Sequence, residues 1–258
     1  MKINILTIFP EMFGPVKDQS ILGKAGEKGL LEINLINIRD FTEDKHRKTD
    51  DTPYGGGCGM VMTPQPAFDA MDSLGESGRE TVIYMSPRGK VMDMELLDEL
   101  KDKDEITILC GHYEGVDQRI IERYGMREVS IGDYILTGGE LPAMVLIDSL
   151  SRFIPGVLGN SESAEDESIY SGLLEADQYT KPREYDGMEV PEVLLSGDHH
   201  RIRLWRLKES MKLTQEVRPD MFRSWLEGDP DLTEFTKAER RELAELAEEL
   251  KEKNLAKK

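Results

Sequence analysis

Short apolar runs alternate with amphipathic stretches through roughly the first 159 residues of the chain. The apolar runs predict strands at residues 2–8, 31–38, 81–85 and 106–110. Helical spacing predicts a helix from Pro10 into the region 23–29, and further helices over 64–74, 95–100 and 116–124. Strands that alternate with helices in this way indicate an α/β fold.

The stretch 129–142 has the pattern of a strand that runs to Ile135, enters a glycine turn and restarts as a helix over 141–154. This helix is apolar on nearly every face, so burial on nearly every face is expected. Asp133 and Glu140 share the turn with no Lys or Arg, which disfavours a phosphate and favours a neutral or cationic ligand. A tight strand-to-helix connection without a ligand explains the same residues equally well.

Three predicted strands end in turns that contain glycine, at 86–89, 111–115 and 132–140. In α/β sheets, ligands bind outside the carboxyl ends of the strands, so these turns are expected to line one pocket. The long loop 39–59 closes with four glycines in five residues beside Tyr54, which indicates backbone that follows a ligand closely.

The chain changes character at Pro155-Gly156. We divide it into an α/β domain (1–159), a flexible acidic linker (160–175) and a smaller, mostly helical domain (176–258). In the last of these, residues 201–213 are expected to be helical. Thr236 and Glu239 have the spacing of a capping box for a following helix that carries Leu243, Leu246 and Leu250.

The net charge of −18 argues against a protein that binds nucleic acid through its overall electrostatic field. A solvated acidic face, serving solubility or adaptation to salt, explains most of this excess. Basic residues nevertheless outnumber acidic ones between Asp198 and Leu213. Two cysteines, no apolar run of 18 residues and no signal peptide predict a cytoplasmic protein.

Several common functional motifs are absent from the sequence. There is no G-x-x-x-x-G-K-[ST] motif and no G-x-G-x-x-G after a strand, which argues against a nucleoside triphosphatase or a conventional dinucleotide enzyme. The four histidines are scattered, and no metal site is predicted.

A series of ordered motifs carries a specific resemblance. They are Asp51-x-Pro53-Tyr54-Gly55-Gly56-Gly57, Tyr84-x-Ser86-Pro87, Cys110-Gly111-x-Tyr113-Glu114-Gly115, Ser130-Ile131-Gly132-Asp133-Tyr134, Gly138-Gly139-Glu140-Leu141-Pro142, Ser151-Arg152-Phe153-Ile154-Pro155-Gly156, Gly187-Met188-x-Val190-Pro191 and Trp205-Arg206. In this order they closely resemble the bacterial tRNA (guanine-N1) methyltransferases of the SPOUT class. The resemblance covers nearly the whole chain, up to about residue 228.

This resemblance implies a SPOUT-type sheet tied into a deep trefoil knot, and a homodimer with active sites between its subunits. It also implies that the methyl donor S-adenosylmethionine binds at the three glycine turns. The expected contacts are Tyr84, Met85, Ser86, Pro87, Gly111, Glu114, Ser130, Ile131, Gly132, Asp133, Tyr134, Ile135, Leu136, Gly138, Gly139 and Pro142. The absence of a basic loop agrees with a donor that carries no phosphate.

The acceptor implied by the resemblance is N1 of the guanosine 3′ of the anticodon. A carboxylate should remove the N1 proton, while Arg152, which matches the family's arginine, stabilises charge on the guanine O6. The family's base is an aspartate directly before a serine. Here the linker has Glu167 at that position and Asp166 one residue earlier, so both remain candidates.

Further expectations concern substrate binding. Asp50, Gly57 and Gly59 are expected at the guanosine, and Arg201 and Arg206 on the tRNA. Mg²⁺ is implied by the resemblance, and linker carboxylates would suit it. Two other functions remain open: an RNA-binding protein that has lost catalysis through the changed linker, and a methyltransferase of this fold acting on ribosomal RNA or a ribose oxygen.

Overall fold

The computed structural model describes residues 1–158 and 171–255. Contacts within the chain divide it into two compact units, with the division after Ser161.

The first unit is built on a parallel sheet. Its strands are β1 (Lys2–Thr7), β2 (Glu32–Asn37), β3 (Asp50–Asp51), β4 (Val61–Met62), β5 (Val82–Val91), β6 (Glu105–Cys110) and β7 (Arg127–Ser130). Five of them form one sheet in the order β2-β1-β6-β5-β7, and every pairing in it is parallel. β3 and β4 form a separate antiparallel pair. The predicted α/β class is therefore confirmed, while the knot that the resemblance implies stays a prediction.

Helices cover both faces of this sheet. They are α1 (Gly14–Asp18), α2 (Ser20–Glu27), α3 (Pro64–Asp72), α4 (Met94–Lys101), α5 (Gln118–Arg123) and α6 (Glu140–Ser151). One core contains Leu22 of α2, Leu97 of α4 and Leu146 of α6, and the other contains Met71 of α3 and Ile120 of α5. Because both faces are covered, the central strands are continuous apolar runs, which is why β1 and β6 are recognisable from sequence.

The first predicted helix is interrupted in the structure. A 3₁₀ turn at Pro10–Phe13 leads into α1, and Gln19 then adopts an extended conformation before α2 begins. This bend brings α2 so close to the end of α1 that a Cβ on Gly23 would lie 2.6 Å from the carbonyl carbon of Asp18. The break directs Leu22 and Ala25 into the core, so tertiary packing overrides the helical pattern.

The prediction for the stretch 129–142 was wrong in two respects. The strand ends at Ser130 rather than at Ile135. The side chain of Ile135 is 79% exposed, so the alternating apolar residues after Ser130 do not pack into a core of this chain. Nor is α6 buried on nearly every face, because Leu141 and Val145 are 50% and 42% exposed.

The second unit is mostly helical. It contains β8 (Glu184–Tyr185), β9 (Met188–Glu189), α7 (Glu192–Leu195), α8 (His199–Val217), α9 (Pro219–Glu227) and α10 (Lys237–Leu255). Its core joins Met211 of α8, Phe222 of α9 and Leu243 of α10. Among the described residues, no helix is both long and apolar enough to span a bilayer.

Two local features of this unit bear on the sequence predictions. The predicted capping box is confirmed, since Glu239 accepts hydrogen bonds from the backbone N and Oγ1 of Thr236, and Glu239 N donates to Thr236 Oγ1. Leu173, within the predicted linker, is buried in the core of the second unit, and Leu174 N donates to Thr214 Oγ1 over 2.8 Å. The described end of that segment is thus packed rather than extended into solvent.

Candidate active site

Three chain segments meet at the carboxyl edge of the sheet. Gly139 N donates to Gly111 O over 2.7 Å, and a Cβ on Gly139 would lie 2.8 Å from Cys110 Cα. A Cβ on Gly111 would lie 2.7 Å from the ring of Tyr84. Both positions therefore require glycine, because neighbouring segments approach the backbone too closely for a side chain. From the sequence, these glycines indicated only two turns.

A cavity of about 280 Å³ opens where these segments meet. All the expected donor contacts line it except Asp133. The structure thus brings together Tyr84, Met85, Ser86, Pro87, Gly111, Glu114, Ser130, Ile131, Gly132, Tyr134, Ile135, Leu136, Gly138, Gly139 and Pro142. The cavity is also lined by Arg88, His112, Tyr113, Gly115 and Thr137, which lie in the three predicted turns. Val116, Ile121 and Val129 line it as well, and sequence reasoning did not single them out.

One wall of the cavity is a bulge inside β5. Met85 and Lys90 both pair with Val129, so Ser86–Gly89 loop out while the strand continues. The sequence predicted instead that the strand stops before Ser86. Ser86 Oγ donates to Glu128 Oε2 over 2.7 Å, and the Arg88 guanidinium lies 3.2 Å from Glu128 Oε1. Glu128 therefore holds the bulge in place, and Arg88 lies at the rim as the one added cationic residue of the lining.

The opposite wall is the loop that follows β7. Ser130 Oγ accepts from Gly132 N and donates to Gly132 O. A Cβ on Gly132 would lie 2.6 Å from the ring of Tyr134, so the loop folds tightly on itself. Tyr134, Ile135 and Leu136 leave much of their apolar surface exposed within this chain. These side chains give this side of the cavity an apolar surface, which suits the planar base of a ligand.

A buried carboxylate supports the floor of the cavity. Glu140 is 1% exposed, and its Oε1 accepts from Thr7 Oγ1 over 2.8 Å, which ties the end of β1 to the start of α6. Burial, together with the charge of Glu140, raises the pKa of the Cys110 thiol well above its ordinary value. Cys110 is therefore neutral near pH 7 and is a packing residue rather than a nucleophile.

The glycine-rich loop lies beside Glu114. Glu114 N donates to Met60 O, Met62 N donates to Gly115 O, and a Cβ on Gly59 would lie 2.4 Å from Glu114 Cγ. Asp50 pairs with Met62 in the β3–β4 ladder, so it is fixed next to the same strand. Gly57 has φ +127° and open space around its Cα. Asp50, Gly57 and Gly59, the expected guanosine contacts, do not themselves line the cavity. Gly59 packs beside Glu114, which does line it, and Asp50 pairs with Met62, whose backbone bonds to Gly115 of the lining.

His112 and Tyr113 lie within the predicted turn 111–115, but the sequence does not indicate how their side chains and backbone are placed. The His112 ring packs 5.0 Å from that of Phe9, and Tyr113 adopts φ +59°, which is unusual for an aromatic residue. The turn 111–115 was predicted, but a positive φ at Tyr113 has no signal in a single sequence. Strained backbone of this kind is common where a protein shapes a ligand site.

Of the expected catalytic residues, only Arg152 falls within the described ranges. Asp166 and Glu167 lie outside the described residues. Arg152 directly follows α6, whose twelve residues separate it from Gly139 by roughly 18 Å at 1.5 Å per residue. Within one chain, therefore, the Arg152 guanidinium lies far from the glycine turns.

The expected tRNA contacts in the second unit lie on the solvent side of α8. Arg201 and Arg206 are both exposed there. Among the described residues, no three His, Cys, Asp or Glu side chains are grouped to hold a metal ion. His200, one of the scattered histidines, is instead 3.0 Å from Glu239.

Comparison with known proteins points to one family. The family described as tRNA (Guanine-1)-methyltransferase TrmD matches residues 1–224. The chain is 55% identical over 222 residues to the tRNA (guanine-N(1)-)-methyltransferase of Clostridium perfringens strain SM101, covering 86% of this chain and 93% of that protein. It is 52% identical over 244 residues to the protein of the same name from Dictyoglomus turgidum, covering 94% and 99%.

Proposed function

Because this chain belongs to the tRNA (guanine-1)-methyltransferase family, we propose that it transfers a methyl group from S-adenosylmethionine to N1 of the guanosine 3′ of the anticodon. The observation that carries the proposal is the cavity at the sheet edge, where Tyr84, Gly111 and Gly139 meet. Its position in the fold and its lining suit a bent donor that has a planar base and a cationic end and carries no phosphates.

The residues present fit the donor. The glycines at 111 and 139 let these turns pack closely against the Tyr84 ring and the Cys110 backbone beside the cavity, and main-chain groups of such turns can hold adenine. Glu114 is suited to face the cationic sulfonium or the ammonium group of the methionine part, since it lines the cavity and forms no ion pair within the described part of the chain. When bound, S-adenosylmethionine supplies an electrophilic methyl group.

The chain's own residues would then handle one proton and one developing charge. The carboxylate of Asp166 or Glu167 takes the proton from guanine N1 as the N–CH₃ bond forms and the S–CH₃ bond breaks. The Arg152 guanidinium stabilises negative charge on O6. Because the described residues offer no grouped metal ligands, we assign no step to Mg²⁺.

A homodimer would reconcile these roles with the position of Arg152. Since roughly 18 Å of helix separates Arg152 from Gly139 in one chain, the arginine at a given cavity would belong to a second copy. The exposed apolar residues of α6, Leu141 and Val145, and the exposed loop at Tyr134–Leu136 offer a surface that a second copy would cover. Sedimentation equilibrium should give a mass of two 29.3 kDa chains, whereas a monomer at micromolar concentration would refute this arrangement.

Recognition of tRNA would use both units. Asp50 can accept from the guanine N1 and N2 hydrogens, and Arg201 and Arg206 can contact phosphates. The carboxylate would recognise the guanine base, and the arginines would position the tRNA through its phosphate backbone. The cytoplasm, where tRNA is modified, is the expected location.

The decisive experiment is transfer of a labelled methyl group to unmodified tRNA transcripts that differ only in having guanosine or adenosine 3′ of the anticodon. We expect 1-methylguanosine in the first transcript and no transfer to the second, because the carboxylate base has an N1 proton to remove only in guanosine. Nucleoside analysis of the digested product identifies the modified atom.

Other results would select the alternative functions. Donor and tRNA binding without turnover would indicate an RNA-binding protein that has lost catalysis. Methylation of a ribose oxygen, or of ribosomal RNA in preference to tRNA, would indicate a methyltransferase of the same fold with another substrate.

A further inference from the structure

Helix α8 has five cationic side chains, and some of them form ion pairs with acidic residues of the same unit. Arg203 Nε lies 2.8 Å from Glu234 Oε2, and Lys208 Nζ lies 2.5 Å from Glu242 Oε1. Lys212 pairs with Glu209 on α8 itself. Two cations of α8 are thus neutralised by residues that come later in the chain.

The other two cations, Arg201 and Arg206, differ from these. Both are exposed, and neither forms an ion pair within the described part of the chain. The positive charge that α8 offers to a polyanion is therefore about half of what its sequence indicates, because ion pairing already satisfies the rest.

The two acidic residues lie beyond the segment that matches the family, which ends at residue 224. Glu242 is on α10, and Glu234 lies just before this helix. The packing of α10 holds them in place, since Leu243 and Ala247 are buried in the core of the unit and the Thr236–Glu239 capping box fixes the start of the helix. The carboxylates are therefore held against α8 by a folded element.

We propose that Glu234 and Glu242 compete with RNA phosphates for Arg203 and Lys208, so that the segment after residue 224 sets the affinity of this unit for tRNA. This inference rests on the proposed function. A ligand can reach both pairs. The side chains of Arg203 and Glu234 are about half exposed, that of Glu242 is 58% exposed, and that of Lys208 is 22% exposed. Exposed ion pairs are weak and screened by salt, so a phosphate can displace the carboxylate at a modest cost in affinity.

The test is the double variant Glu234→Gln/Glu242→Gln, which keeps the side-chain shape and removes both charges. Its affinity for the guanosine transcript is measured by equilibrium binding between about 0.05 and 0.3 M KCl. We expect a Kd about threefold to tenfold lower than that of the wild type at about 0.1 M KCl. The logarithmic salt slope should become steeper by about 1 to 2, because two further cations replace counterions on the RNA.

The matched control is Glu245→Gln/Glu248→Gln. It removes the same amount of charge from the same C-terminal segment, but the partners of these residues, Arg241 and Lys251, belong to α10 itself. Equal tightening in both double variants would show a general charge effect and overturn the inference, as would no tightening in either. Adding Arg203→Gln and Lys208→Gln to the first double variant should abolish its gain.

Two readouts keep the interpretation clear. Thermal unfolding should show all variants folded at the binding temperature, since none of the substituted side chains is buried in the core. If the wild-type protein binds no tRNA, both the proposed function and this inference are overturned. If the wild type binds tRNA and transfers methyl groups, and the two double variants bind tRNA with the same affinity, this inference alone is overturned.

Discussion

Alanine at position 139 is expected to abolish detectable binding of S-adenosylmethionine and methyl transfer. The added Cβ would lie 2.8 Å from Cys110 Cα and 2.9 Å from Gly111 N, both of which are backbone atoms of a central strand and its turn. Neither can move without displacing β6, so the 138–139 turn must shift away from Gly111 and open the cavity. We expect affinity to fall by at least about 100-fold, and the free energy of unfolding by about 1–3 kcal/mol. Calorimetric titration and urea unfolding measure the two effects.

Gly75→Ala provides the matched control. Gly75 has ordinary backbone φ and nothing within 4 Å of an added Cβ, so this variant should bind donor as the wild type does. Wild-type affinity in Gly139→Ala would show that the donor does not bind against this turn, and the proposed site would have to be abandoned.

Loss of the correct linker carboxylate should lower the rate of methyl transfer by about 10²–10⁴-fold. We expect this of either Asp166→Ala or Glu167→Ala, with donor affinity unchanged, because the proposed base acts on the guanine proton and has no role in holding the donor. Single-turnover transfer to the guanosine transcript measures the chemical step directly. The variant with the large loss identifies the base. The sequence leaves this open, because Glu167 stands at the family's position whereas Asp166 has the family's residue type.

Glu165→Ala is the control for this experiment, since it removes a neighbouring negative charge from the same acidic segment. It should retain the wild-type rate within about threefold, as expected for a residue outside the reaction. Equal, small effects in all three variants would mean that no linker carboxylate removes the proton, and another base would have to be sought.

Much of the first unit follows from sequence alone. The strands 2–7, 32–37 and 105–110 are recognisable because a sheet covered on both faces demands continuous apolar runs. The turns 111–115 and 138–139 are recognisable because glycine interrupts these patterns. The pairing of Thr236 with Glu239 is equally local, since both partners of a capping box lie within four residues. All these features are encoded by neighbours in the chain.

Only the tertiary structure decided which distant groups meet. The sequence shows a glycine at position 139, but it does not show that the backbone of Cys110 lies so close that no side chain fits there. It contained Arg88, but the register shift that loops out Ser86–Gly89 depends on pairing with Val129, some forty residues away. It marked α8 as basic, yet Glu234 and Glu242 neutralise two of its cations through packing of a later helix. Local pattern determines what is buried and where the chain turns, whereas contacts between remote segments depend on register and packing that no local pattern encodes.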